Sequence, residues 1–225
     1  MTTMFERRSI ELLREALDDL EKGFDRLPPM DEDEGDMEEV LLEVSRRMRE
    51  NYPYFHPLYA GQMLKPPHPV ARAAYMLSLW INPNNHALDG GYASSQMEKE
   101  AVAELASLFG WEEHLGHLTG GGTMANMEAL WISGKVRRGE LVVASEQAHY
   151  THTRLSEVLG LDFRSIPCDR QLRMDTGALE ELLRREEVGT VVATIGTTGT
   201  GSVDPLPEIL DLQREYGFRL HADAA

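Results

Sequence analysis

Cysteine is almost missing from this 225-residue chain: Cys168 stands alone. A single thiol excludes an internal disulfide and suits a reducing, cytoplasmic setting. Long apolar runs are missing too, and none approaches the roughly 20 residues that a bilayer span requires. The N-terminus carries Glu6, Arg7, Arg8 and Glu11 and lacks the apolar centre of a signal peptide. Basic side chains are heavily outnumbered, with 22 Lys and Arg against 38 Asp and Glu, a formal net charge of −16. Nucleic-acid binding needs clustered cations on phosphates, so this balance speaks against it. Lysine is the scarcest charged residue, present only as Lys22, Lys65, Lys99 and Lys135.

What is present is enough for a core. Apolar residues make up 42% of the chain and charged ones 27%, a globular rather than disordered balance. The first thirty residues read as an acidic amphipathic helix, with Ile10, Leu13, Leu17 and Leu20 near helical spacing and Pro28-Pro29 closing it. Asp31 to Glu39 is an acidic run, read as a solvated face and linker. A short helix follows over 38–50. Residues 51–69 combine Pro, His and aromatics and predict irregular chain. Helix is expected over 70–81, then a polar loop through Asn84-Asn85-His86. Ser95-Gln96-Met97-Glu98 has the form of a capping box, with an apolar face behind it.

From His114 onward the pattern alternates. Strands are expected at 114–119, 140–145, 162–167, 189–195 and 218–223, with helices at 122–137, 150–159, 175–187 and 205–216. Asp175 is a candidate N-cap, and Pro205 sits where a helix start tolerates proline. Such alternation predicts an α/β domain with a mostly parallel sheet, whose ligands bind beyond the carboxyl ends of the strands.

The segments after those strands carry the candidate chemistry. Thr119-Gly120-Gly121-Gly122-Thr123 opens a helix, and glycines there let backbone N–H groups approach an anion at the positive end of the dipole. Gly120, Gly122 and Ala125 also satisfy a dinucleotide-binding spacing, although that signature normally sits on the first strand–helix unit. A tight turn without ligand remains open as well. His149 follows the second strand. His114, His117, His149 and His152 form two H-x-x-H pairs, a weak metal signal because alternate strand residues point to opposite faces. Gly196-Thr197-Thr198-Gly199-Thr200-Gly201 follows the fourth strand. Asp223 ends the fifth, where a carboxylate in an α/β crevice needs a cation or donors beside it.

This order of cradle, loop histidine, Gly-Thr-Thr turn and H-x-D-A-A segment resembles the pyridoxal-phosphate enzymes of the aspartate-aminotransferase fold. Within them it is closest in wording to the group II amino-acid decarboxylases, over residues 50–225. The resemblance implies the fold-type-I large domain, with 1–69 as a helical and substrate-loop segment and 70–225 as an incomplete cofactor domain. It implies that Gly121, Gly122 and Thr123 hold the cofactor phosphate, and that His149 stacks on one face of the pyridine ring with Ala225 on the other. Thr198 lies near the ring hydroxyl, and Asp223 pairs with the ring nitrogen. For the substrate it points to His56 and Gln62 in the aromatic loop, and to Asn85. It further implies decarboxylation of an amino acid in a cytoplasmic homodimer, with no metal. Aminotransferase or carbon–sulfur lyase chemistry, and a non-catalytic ligand- or dinucleotide-binding module, are the alternatives. The family also needs a lysine, bonded covalently to the cofactor, downstream of the aspartate. None of the four lysines follows Asp223, so the expectation is a truncated N-terminal portion that is inactive alone.

Overall fold

A computed structural model describes residues 7–28, 35–54, 56, 58–61 and 67–225. The substrate-loop candidate Gln62, with Phe55, Pro57 and the acidic stretch 31–34, lies outside the described residues. The chain forms two compact units, residues 1–100 and 101–225.

The described part of the first unit is helical. α1 (Arg8–Glu21) passes into a 3-10 turn at Lys22–Phe24, and α2 (Met37–Met48) follows. α3 (Pro69–Ile81) starts on a proline, the residue whose missing N–H costs least in a first turn. The His68 ring takes the Val70 N–H at 3.3 Å as its cap. α1 packs on α3, with Leu13 buried. α4 (Tyr92–Leu108) begins earlier than the capping-box pattern indicated. Ser95 therefore lies buried inside the helix rather than at its start.

The second unit is a layered α/β structure. After α5 (Gly122–Val136) come β1 (Leu141–Ser145), α6 (Thr151–Leu159), β2 (Phe163–Ile166) and α7 (Thr176–Leu183). β3 (Val188–Thr194), α8 (Leu206–Tyr216) and β4 (Arg219–Asp223) complete it. The strands form one sheet in the order β2-β1-β3-β4, every pair parallel. β3 is buried along its whole length, which suits its apolar run. Because strand side chains alternate, Val191 and Ala193 enter one core with Val143, Leu179, Ile209 and Phe218. Val192 enters the other, with Val142, Ala144, Leu155 and Leu130. The second core lies under α5 and α6, so their first turns come to the carboxyl edge of the sheet.

One expected strand does not form. Residues 114–119 belong to no ladder among the described residues, and Leu115 is fully exposed. A strand exists only through its neighbour's hydrogen bonds, which alternation along one segment does not supply. α7 also stops at Leu183, short of the expected 187, because Val188 opens β3.

Two aspartates fix the crossover geometry. Asp175 Oδ1 accepts from the Gly177 and Ala178 N–H groups at 2.9 and 3.0 Å, capping α7 as expected. Asp204, buried, accepts from the Met174 and Thr194 N–H groups at 2.7 Å each, tying the end of β3 to the approach to α7. Burial pushes the Asp204 carboxyl up, against those two N–H groups. Asp175→Ala is expected to lower stability by about 1 kcal/mol. Asp204→Ala strands two buried donors and should cost roughly 2–4 kcal/mol; urea denaturation midpoints check both values.

Candidate functional site

Asp223 closes β4 opposite Thr194 of β3, at the carboxyl edge. Its side chain is 7% exposed, and four residues answer its charge or its neighbours. Oδ2 accepts from Asn126 Nδ2 at 3.1 Å and from His152 Nε2 at 2.8 Å. Oδ1 accepts from the Ala225 N–H at 3.2 Å. His221 Nε2 donates to Asn126 Oδ1 at 2.7 Å, which fixes the orientation of that amide. Donors thus run His221 to Asn126 to Asp223 from one side, and His152 to Asp223 from the other. The His152 hydrogen bond, assisted by the Ala225 N–H and Asn126, outweighs burial and holds the Asp223 carboxyl down to about 2. Burial, with His152 nearby, lowers His221 below its ordinary value. The result is an anion fixed at the bottom of the sheet edge.

The glycine loop lies beside it. Gly121 adopts φ +132, a conformation that side chains disfavour, and turns the chain into α5. No side chain caps this helix, and its first internal bond runs from the Ala125 N–H to the Gly121 carbonyl at 3.1 Å. The N–H groups of Gly122, Thr123 and Met124 precede that bond and have no partner within the helix. A Cβ on Gly122 would stand 2.6 Å from the Ala225 Cβ. Only glycine permits this approach of α5 to the end of β4. Thr123 is exposed at the same helix start.

The remaining candidates fall out as follows. His149, half-buried, lies just before α6: the Thr151 N–H donates to Nδ1 at 3.4 Å and the Thr151 hydroxyl lies 2.8 Å from the same atom. Its ring sits 4.3 Å from that of Tyr150. Thr198 is exposed, whereas its neighbour Thr197 is buried and braces the turn, taking the Ser202 N–H at 3.1 Å. His56 and Asn85 belong to the first unit. His56 Nδ1 accepts from the Leu58 N–H at 3.2 Å, and Asn85 donates to Glu98 at 3.2 Å while accepting from Ser94. The two H-x-x-H pairs do not converge: His117 meets Glu128, and His152 meets Asp223. No metal-binding group of three occurs among the described residues.

From sequence, Asn126 and His221 carry no assigned role, and His152 enters only as half of a weak metal pair. Asn126 lies one turn past Gly122, a position with no marker of its own. His152 was legible: with Leu155, Ser156 and Leu159 it falls on one face of a helix, and the buried members Leu155 and Ser156 mark that face as inward.

Comparison with known proteins gives the same picture. Residues 131–225 match the family described as the pyridoxal-dependent decarboxylase conserved domain. The chain is similar to the pyridoxal-dependent decarboxylases. It is 32% identical over 190 residues to a probable L-tyrosine/L-aspartate decarboxylase of Methanoculleus marisnigri, covering 84% of this chain and 51% of the relative. To the L-aspartate decarboxylase of Thermococcus kodakarensis it is 34% identical, covering 84% and 49%. The crystal structure of mouse CSAD superposes with TM-score 0.77 at 26% identity, covering 92% of this chain and 48% of that one. The chain therefore spans about half the length of the curated relatives it matches. The decarboxylase fold assignment, fold type I with a parallel sheet, stands.

The depressed carboxyl of Asp223 makes stability depend on pH. Its contribution is complete above the unfolded value near 4 and is lost as pH falls toward 2. Wild type should therefore lose about 2 kcal/mol relative to Asp223→Asn across that window, read by urea denaturation at stepped pH.

Proposed function

We propose that the protein carrying this chain binds pyridoxal 5'-phosphate at the α5–β4 edge and decarboxylates an amino acid. The single observation that carries this reading is the Asp223 carboxylate, kept ionised and buried beside an uncapped glycine-rich helix start. The residues suit the group on structural grounds. Gly122, lacking a Cβ, lets α5 start against Ala225 beside Asp223, the N–H groups of Gly122, Thr123 and Met124 suit a phosphate, and Oδ1 of Asp223 keeps accepting capacity for a cationic ring N–H. Gly121, Gly122 and Thr123 hold the phosphate, His149 and Ala225 flank the ring, and Thr198 lies toward its hydroxyl. When bound, pyridoxal phosphate supplies an electron sink for the carbon that loses carbon dioxide. Asp223 serves that sink by keeping the ring nitrogen protonated, since an adjacent anion raises the pKa of a cation.

His56, Gln62 and Asn85 are proposed substrate contacts. L-Aspartate is common to the names of both relatives above and is the first substrate to offer. The working assembly is proposed as a cytoplasmic homodimer. The lysine that bonds the cofactor is not found after Asp223 in these 225 residues, so they are proposed to be inactive alone; a protein that turns over brings that lysine from sequence beyond them.

The full-length protein loaded with pyridoxal phosphate should release carbon dioxide and the matching amine from L-aspartate. Release of a keto acid instead would identify amino transfer, and saturable binding of NAD without pyridoxal phosphate would favour a dinucleotide module. Asp223→Ala should lower kcat on the order of 100-fold or more, with cofactor saturated. Gly122→Ala acts differently: it should weaken cofactor binding at least about tenfold by driving α5 from Ala225, read as loss of cofactor absorbance on dilution.

A further inference from the structure

His152 has no part in the family resemblance, yet its ring is the most enclosed group touching Asp223, at 0% exposure. It sits in the first turn of α6, with Leu155 and Ser156 of the same helix buried behind it. A carboxylate only accepts, so the 2.8 Å contact places a proton on His152 Nε2. Nδ1 has no hydrogen-bond partner among the described residues. The ring's one hydrogen bond among the described residues is therefore the bond to Asp223, and each group holds the other. On the carboxylate the division is uneven. Oδ2 receives two side-chain donors, His152 and Asn126, and Oδ1 only the longer backbone contact from Ala225.

We propose that His152 is a positioning residue for the decarboxylase reaction. With Asn126 it saturates Oδ2, locks the carboxylate against rotation, and leaves Oδ1 as the oxygen able to accept from the cofactor's ring nitrogen. α6 thereby serves both sides of the cofactor site. Its start holds His149 through Thr151, and its next residue, His152, holds the aspartate. The charged and titratable groups around the pair are few: His221 of β4, whose ring lies 6.1 Å from that of His152, and Asp223 itself. This inference rests on the cofactor assignment made above.

The test uses the full-length protein, as wild type, His152→Leu and His152→Gln, the last keeping a donor at reduced size. Without cofactor, carbon-13 spectra of the Asp223 carboxyl should titrate at least one pH unit higher in the leucine variant, with glutamine returning part of the way. With ring-labelled nitrogen-15 pyridoxal phosphate, the ring nitrogen should be protonated in wild type and shift toward the neutral pyridine position in His152→Leu. Cofactor affinity should change less than about threefold, while kcat falls tenfold or more and KM holds within threefold. A folded leucine variant with unchanged carboxyl titration and ring nitrogen would reduce His152 to packing and overturn the proposal. A shifted carboxyl with an unchanged ring nitrogen overturns the link to the cofactor. Should the leucine variant not fold, the wild-type imidazole spectrum still decides, because an unprotonated Nε2 on His152 contradicts the proposed contact. Failure of wild type to take up pyridoxal phosphate is a separate result. It overturns the cofactor assignment, and is recognised before any variant is made.

Discussion

A buried carboxylate is the constraint around which the second unit is arranged. Moving an isolated anion out of water is prohibitive, so Asp223 persists at the end of β4 only because donors converge on it. Those donors come from three different elements: Asn126 from α5, His152 from α6, and the backbone after β4 itself. Each element is held in turn by the sheet. Leu130 of α5 and Leu155 of α6 share one core with Val142, Ala144 and Val192, so apolar packing sets where the polar groups meet. Core and site are one arrangement seen from two ends of the same helices.

That coupling explains why so small a set of residues is demanding. Gly122 has to lack a side chain because α5 starts against Ala225. Asn126 then follows one turn later, where the helix brings its amide to the carboxylate, and His221 fixes which way the amide faces. Asp204 works on the same edge in a different manner. It fastens the end of β3 with two backbone donors, and the turn beyond, braced by Thr197, presents Thr198 outward.

Much of this was legible from the chain alone, for identifiable reasons. Val191 to Ile195 reads as a doubly buried strand, and β3 is buried throughout. Asp175 reads as a cap and accepts the two N–H groups a cap should accept. Asp223 was visible as a charge at the end of an apolar strand. What escaped depended on partners far away in sequence. Residues 114–119 alternate like a strand but have no neighbour to pair with among the described residues. Asn126 looks ordinary until its partner, 97 residues later, is brought beside it. His152 invited comparison with His149 as a metal pair, although helical spacing with Leu155 and Leu159 turns it inward instead.

The distances along the chain between Asp223 and its donors have a consequence for assembly. Asn126 precedes it by 97 residues and His152 by 71. A chain emerging from the ribosome thus completes both donors long before it makes the acceptor. Until β4 lies against β3, Asp223 has to stay in water, because its side-chain donors lie far away in sequence and the local Ala225 N–H alone does not compensate it. Pairing of β4 with β3 and the closing of the Asp223 site are therefore one event. An ordered site reports a docked β4, and slow docking of β4 delays the ability to bind a ligand by the same interval.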